Sequence, residues 1–401
     1  MKFNYMKSAA MALAFACCVS SCSDFLEEEN KTGATAELEY ATVSGIDGLM
    51  GSAYSFLRLW AGKPAALAMN GSGTDDLFYG IDCGMKPLGD YTFTAEQDGK
   101  TNFDSYWEAF YCGIDVCNLA LKYVPLNTAI GEAKKQTYLG EAQFLRAFYY
   151  FMLVNHFGAP YNYNKQALGV PLKLDSNLLP EDQLLMTRNT VEEVYNQIVD
   201  DLNEAERLFL TLSKDKQYEP NYLVSLPMIQ LLKSRVFLYM ENWKDAAIYA
   251  NKVIKDWSFA LVDLNNLPSP TVAEPYYNFT SLKSSEVIWL YGSVSDLTVF
   301  NDESVEYEEE GYFGNTTTYY REAFIASDNL IESFEDGDLR KEKYIAKEFN
   351  KDDKVFYEDS YTTFGKYKLS ATGEPSGSEN FALSFRLGEA YLNLAEAAAH
   401  N

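Results

Sequence analysis

The chain has 401 residues, of which 47% are hydrophobic, so it is long enough to bury a large core in one or two domains. Acidic residues number 58 and basic residues 33, which gives a formal net charge of −25. This charge argues against a nucleic-acid partner, whose phosphates require a basic face, and against binding to an anionic lipid surface.

The N-terminal segment has the layout of a secretory signal peptide. A basic start precedes an apolar run at 9–19, which is shorter than the stretch of about 20 apolar residues that spans a bilayer. The run ends in VSSC (19–22), which resembles the bacterial lipobox, in which the cysteine becomes the lipidated first residue of the mature chain. We therefore predict a signal peptide over 1–21, lipidation at Cys22 and a flexible acidic tether over 22–36. The alternative is an ordinary signal peptide with a chance cysteine.

The middle of the chain carries apolar residues at helical spacing. These stripes predict helices around residues 46–57, 107–121, 132–156 and 191–209. The third helix is expected to end at FGAP, where Gly158 can cap it and Pro160 blocks its continuation. Thr190 and Glu193 form a capping-box pattern that opens the fourth helix.

Two further helices are predicted. One begins after Pro227 and runs to Met240, and the other runs from Trp243 to Ile254. The short turn between them predicts an antiparallel hairpin. Small alanines in the second helix allow close approach, as in tetratricopeptide units. A last helix is predicted from a mixed small and large stripe consisting of Leu387, Ala390, Tyr391, Leu394 and Ala398.

Irregular segments rich in Gly, Ser, Thr and Tyr separate these helices. The longest lies at 260–380 and contains one strand-like run, EVIWLY at 286–291. Loops of this length inside a compact chain are usually functional. We predict a mainly α fold with a tetratricopeptide-like scaffold at 37–259, a loop-rich subdomain with short strands at 260–380 and a scaffold helix at 381–401.

Catalytic and metal-binding patterns are missing from the sequence. The two histidines, His156 and His400, allow no Ser/His/Asp arrangement and no histidine-based metal cluster, and no phosphate-binding glycine motif occurs. Beyond the leader and Cys22, the cysteines Cys83, Cys112 and Cys117 have no metal-site spacing, and we expect buried thiols. FEDGD at 334–338 weakly resembles a calcium-binding loop, but it lacks the spacing of an EF-hand. We predict no cofactor, no metal and no enzymatic activity. The sequence contains so many acids that it does not exclude a carboxylate pair for glycoside hydrolysis.

Four motifs, in this order, resemble the SusD/RagB family of surface nutrient-binding lipoproteins. They are YWEAFYCGIDVCNLAL (106–121), RAFYYFMLVNHFGAP (146–160), SFEDGDLRK (333–341) and FRLGEAYLNLAEAAAHN (385–401). The resemblance implies a helical fold of tetratricopeptide-like hairpins and an outer-membrane lipoprotein facing the cell exterior. It also implies a SusC-like TonB-dependent transporter as the partner. In the family a further stretch follows the last motif, so the resemblance implies that this chain lacks the family's C-terminal portion.

The implied ligand is an oligosaccharide, or a peptide in the RagB branch. Sugar recognition needs flat rings against C–H faces and polar groups on the hydroxyls, and the family's contacts come from loops in two regions that match stretches 70–80 and 312–324 here. The candidate ligand-binding residues are Trp60, Asn70, Asp75, Asp76, Tyr79, Tyr91, Tyr312, Tyr319 and Tyr320. Each aromatic could instead pin its loop to the body. The alternative function is a helical-repeat scaffold that binds another protein. Arg146, Trp107 and Asn118 belong to the motifs but are interpreted as structural.

Overall fold

The structure is a computed structural model. It describes residues 36–57, 77–78, 102–176, 186–218, 223–267, 285–291, 325–350, 355–362 and 382–400. The helices in this part of the chain are α1 (Ala36–Glu39), α2 (Val43–Ser55), α3 (Asn102–Leu126), α4 (Glu132–Phe157), α5 (Tyr161–Asn164), α6 (Val191–Leu210), α7 (Leu226–Tyr239), α8 (Trp243–Asp256), α9 (Asp328–Ser333), α10 (Leu339–Tyr344) and α11 (Leu387–His400).

Short strands pair across long sequence separations. The strands are β1 (Leu77–Phe78), β2 (Val287–Tyr291), β3 (Ile325–Ala326), β4 (Ala346–Asn350), β5 (Val355–Thr362) and β6 (Ala382–Arg386). They form three antiparallel two-stranded sheets, β1 with β3, β2 with β6 and β4 with β5. Such small ribbons are not stable alone, so they depend on packing against helices or loops.

Helix α4 forms the centre of the core, because almost every residue of its second half is buried. It packs against α3 on one side and α6 on another, and α2 packs on α3. Near its middle, Phe144 and Phe148 meet Trp289 of β2 and Phe385 of β6 edge-on, with ring centroids 5.8–6.4 Å apart. The fully buried Trp289 therefore attaches the β2–β6 ribbon to the helical scaffold.

The predicted mainly α fold is confirmed, and so are its helices. Thr190 and Glu193 close a capping box in which each residue's side chain receives the other's backbone N–H. Helices α7 and α8 pack together as a hairpin, and the strand-like run at 286–291 contains β2. Within the described residues, no helix is both long enough and apolar enough to cross a membrane.

The C-terminal segment differs from its prediction in two ways. The region predicted as one scaffold helix at 381–401 begins with strand β6, because its backbone pairs with β2. The helix that follows buries Asn393 and Ala397, while Tyr391 is 44% exposed and Ala398 is exposed. Asn393 faces inward because its side-chain amide donates to the buried Ser234 hydroxyl of α7 at 3.3 Å.

The cysteine prediction is also partly wrong. Cys117 is fully buried, but Cys112 is exposed, because five residues along α3 turn the side chain away from the core. Both thiols are free, and Cys83 lies outside the described residues.

Candidate functional site

The nine candidate ligand-binding residues lie outside the part of the chain that the structure describes, and so does Cys22. The described residues next to the candidates do show how the two predicted binding stretches relate. Strand β1 lies inside the first stretch, directly after Asp76 and directly before Tyr79. Strand β3 begins directly after the second stretch, which ends at residue 324.

These two strands pair with each other in an antiparallel register. Leu77 lies opposite Ala326, and Phe78 lies opposite Ile325. In sequence, Asp76 and Tyr79 are the immediate neighbours of β1, and residue 324 is the immediate neighbour of β3. The described backbone thus brings together two segments that are separated by more than two hundred positions in sequence.

The β1–β3 ribbon is attached to the body through β3. Strand β3 contacts β5 and continues into Ser327, which is 2% exposed and caps α9 by accepting the Leu330 N–H at 3.1 Å. A buried cap of this kind fixes the direction in which a chain enters a helix. The β1–β3 ribbon is therefore attached to the body through β3.

The FEDGD segment that follows α9 serves as a turn and a helix cap. Gly337 has a φ of +85°, a conformation that favours glycine. The Asp338 carboxylate accepts the Arg340 N–H at 2.9 Å and pairs with the Arg340 guanidinium. Within the described residues, no group of three or more His, Cys, Asp and Glu side chains could hold a metal ion.

A buried polar network joins the helices of the scaffold. The Arg146 guanidinium of α4 donates to both Asp201 carboxylate oxygens of α6, at 2.8 and 2.6 Å, and to Asn118 Oδ1 of α3 at 2.8 Å. Asn118 and Tyr150 in turn donate to the Lys173 carbonyl at 2.9 and 2.8 Å. Burial opposes the charge on Arg146, but Asp201 outweighs it and raises the pKa of the guanidinium.

This network agrees with the structural interpretation of Arg146 and Asn118. Trp107, the third motif residue, is half-buried and meets the Phe157 ring edge-on at 5.0 Å. Nearby, the Tyr111 hydroxyl donates to the Pro171 carbonyl at 2.7 Å. The motif residues on these helices therefore fasten the segment after α4 to the scaffold, and their contacts are with protein groups.

The two described thiols and His156 are not activated as a nucleophile or base. Burial raises the pKa of the Cys117 thiol, and partial desolvation together with the nearby Asp115 and Glu108 carboxylates raises the pKa of the more exposed Cys112 thiol. Both shifts disfavour the thiolate. Burial lowers the pKa of His156, whose Nδ1 lies 2.7 Å from the Met152 carbonyl within the same helix. A neutral imidazole bonded to its own helix has a packing role rather than a catalytic one.

Sequence reasoning missed the β1–β3 pairing and the second buried ion pair of the scaffold. Two-residue strands are too short to show the alternation by which a strand is recognised. The second pair joins Lys233 of α7, 2% exposed in its side chain, to Glu206 of α6. Lys233 stands on a helix that is buried nearly all round, and this polar interruption was the signal available in the sequence.

Residues 88–225 match the SusD-like family described as "Starch-binding associating with outer membrane". A relative from Formosa agariphila, SusD-like protein P38, is 30% identical over 155 residues, which cover 39% of this chain and 27% of that protein. The match thus spans only about a quarter of that curated relative's length.

Solved structures share the fold at low sequence identity. A SusD-like carbohydrate binding protein from Bacteroides vulgatus superposes with a TM-score of 0.68 at 19% identity, over 88% of this chain and 71% of that one. A laminarin binding SusD-like protein superposes with a TM-score of 0.64 at 21% identity, over 89% of this chain and 80% of that one.

Proposed function

We propose that this chain, a SusD-like protein by family match and by fold, captures oligosaccharides at the cell surface and delivers them to a SusC-like TonB-dependent transporter. In this proposal the protein is anchored in the outer membrane through lipid on Cys22, faces the cell exterior and binds its cargo without chemical change.

The observation that carries the proposal is the pairing of β1 with β3. Leu77 lies opposite Ala326. In sequence, Asn70, Asp75 and Asp76 precede β1, and the three candidate tyrosines precede β3. A glycan site needs carboxylates or amides for hydroxyl groups and aromatic rings for the sugar faces. The first stretch supplies mainly polar groups and the second supplies rings, so a site formed by both stretches would meet both requirements.

Two relatives favour a glycan over a peptide as cargo. One solved relative is described as a carbohydrate binding protein and another as laminarin binding, and the matched family is described as starch-binding.

The test is titration of residues 23–401 with laminarin, soluble starch and a peptide library, by calorimetry. We expect saturable binding to a polysaccharide, and a loss of at least about tenfold in affinity for Asp75→Ala and for Tyr319→Ala, because each removes a group that we propose contacts the sugar. Asp256→Asn, an exposed acid at the end of α8, is the matched control and should bind as the unaltered protein does. Binding to peptides alone would overturn the glycan proposal.

The anchor and the partner need separate measurements. The full chain should appear in the outer-membrane fraction with the added mass of lipid, and Cys22→Ser should shift it to the soluble fraction. Affinity purification of the anchored protein should recover a TonB-dependent barrel. Recovery of a different protein without any barrel would favour the helical-repeat scaffold.

A further inference from the structure

Two partly exposed tyrosines, one on α5 and one at the end of α7, pack on the same buried aromatic cluster. The Tyr161 ring lies 4.9 Å from the buried Tyr195 ring, and the Tyr239 ring, 49% exposed, lies 5.3 Å from the buried Phe151 ring. Tyr195 and Phe151 contact each other at 6.2 Å. Each outer ring is therefore held in place by a buried ring of one continuous cluster.

Polar groups join the two rings at the surface. Asn162, next to Tyr161, donates from Nδ2 to Glu241 Oε1 at 3.0 Å, and Glu241 stands two residues after Tyr239. Within the described part of the chain, Glu241 Oε2, Asn162 Oδ1 and the Tyr161 and Tyr239 hydroxyls make no hydrogen bond. The surface thus carries two partly exposed tyrosine rings together with the exposed polar side chains of Asn162 and Glu241.

Glu241 occupies a backbone position that normally favours glycine. Its φ is +56°, and it directly follows the end of α7, where the Asn242 N–H donates back to the Phe237 carbonyl at 2.9 Å. This is the arrangement in which helices usually place glycine, and a residue with a Cβ costs roughly 1 kcal/mol there. A side chain kept at such a position points to a use for the carboxylate beyond the turn itself.

We propose that Tyr161, Asn162, Tyr239 and Glu241 form a second glycan-contact surface, built from other elements than the β1–β3 loops. Rings held in place lose little conformational entropy when a sugar packs on them, and the amide and carboxylate match sugar hydroxyls. This inference rests on the proposed function, because the second surface would engage another portion of a long chain held at the loops. Two weak contacts on one polysaccharide raise the overall affinity even when neither is strong.

Native gel electrophoresis in laminarin or soluble starch tests the inference on residues 23–401. We expect Tyr161→Ala and Tyr239→Ala to weaken retardation by the polysaccharide about fivefold, while binding of a trisaccharide at the loops is unchanged. Tyr163→Ala is the matched control: Tyr163 is 84% exposed, but two positions along α5 point it to the opposite side from Tyr161. Tyr239→Phe keeps the ring and should change retardation less than twofold. Unfolding midpoints of all variants show whether each is folded. A loss of retardation in folded alanine variants alone indicates a lost contact rather than misfolding.

Glu241 distinguishes a sugar from a cationic ligand. A hydrogen bond to a hydroxyl survives in Glu241→Gln, so this variant should retain polysaccharide retardation within about twofold, whereas Glu241→Ala should lose more. Equal losses in both variants would overturn the inference in favour of a cation. Retardation of the tyrosine variants equal to that of Tyr163→Ala would overturn this inference alone. No retardation of the unaltered protein by either polysaccharide would overturn the proposed function together with it.

Discussion

Arg146 and Asp201 form a two-point ion pair across the contact between α4 and α6. Nε lies 2.8 Å from one carboxylate oxygen and Nη2 lies 2.6 Å from the other, with the two side chains 9% and 3% exposed. Such a buried pair adds little over a well-packed apolar pair, but removing one partner leaves an uncompensated charge.

We therefore expect Asp201→Asn to lower the free energy of unfolding by about 3–5 kcal/mol, measured by urea denaturation. Arg207→Ala is the matched control, because Arg207 pairs with Glu204 on the exposed face of the same helix. The control should cost less than about 1 kcal/mol. Equal small effects in both variants would contradict the role assigned to the buried pair.

Glu206 gives the scaffold a contribution to stability that depends on pH. Burial alone would raise the pKa of this carboxyl, but Lys233 and Lys252 outweigh it and lower the pKa below the ordinary 4.5. The unfolded chain therefore binds the proton first as the pH falls. The stabilisation is complete above the ordinary pKa and is lost as the pH falls through the folded value.

Glu206→Gln should cost about 3 kcal/mol at pH 7, because Lys233 is left buried without a counter-charge. The difference in free energy of unfolding between this variant and the unaltered protein, measured by urea denaturation, should become smaller when the pH falls below the ordinary pKa of the carboxyl. The exposed Glu332→Gln should stay within about 0.5 kcal/mol at both pH values. A gap independent of pH would show that the carboxylate charge is not what stabilises α6 against α7.

The sequence predicted the helices well because their signals are local. The capping box at Thr190 and the apolar stripes each lie within a few residues, and α2, α4 and α6 follow them. The missed features depend on distant partners. Asn393 is buried because Ser234 lies opposite it, and Leu77 is in a strand because Ala326 pairs with it. Composition also suggested the two candidate stretches, but it did not indicate that the strands next to them pair.

Gly113 of α3 lies directly against the Tyr149 ring of α4. A Cβ at this position would lie 2.6 Å from the Tyr149 ring, which cannot retreat because its hydroxyl donates to the Ala53 carbonyl at 2.6 Å. Gly113→Ala should therefore cost about 1–3 kcal/mol in urea denaturation. Gly48→Ala on α2 meets nothing within 4 Å and should instead gain about 0.5–1 kcal/mol from helix propensity. A gain at both positions would rule out a tight contact at Gly113.

Glu241→Gly should stabilise the turn between α7 and α8. Relief of the positive φ contributes roughly 1 kcal/mol, and loss of the exposed hydrogen bond to Asn162 offsets part of it. Glu241→Ala loses the same hydrogen bond while keeping the unfavourable backbone conformation, so it should show no gain. Thermal unfolding of both variants measures the difference, and equal midpoints would show that the backbone conformation carries no cost.

The β1–β3 register can be tested by cysteine cross-linking of the two candidate loops. Directly opposed residues in an antiparallel pair have Cα atoms about 4.5–5.5 Å apart, which suits a disulfide, so Leu77→Cys with Ala326→Cys should cross-link under mild oxidation. Leu77→Cys with Ile325→Cys is the control, because adjacent residues on a strand point to opposite faces. Mass spectrometry of the joined peptides separates these links from any made by native cysteines.

Because the link only reinforces an existing pairing, the cross-linked protein should bind polysaccharide as tightly as the reduced form. Cross-linking at the control pair instead would show that the true register differs by one residue from the pairing of Leu77 with Ala326.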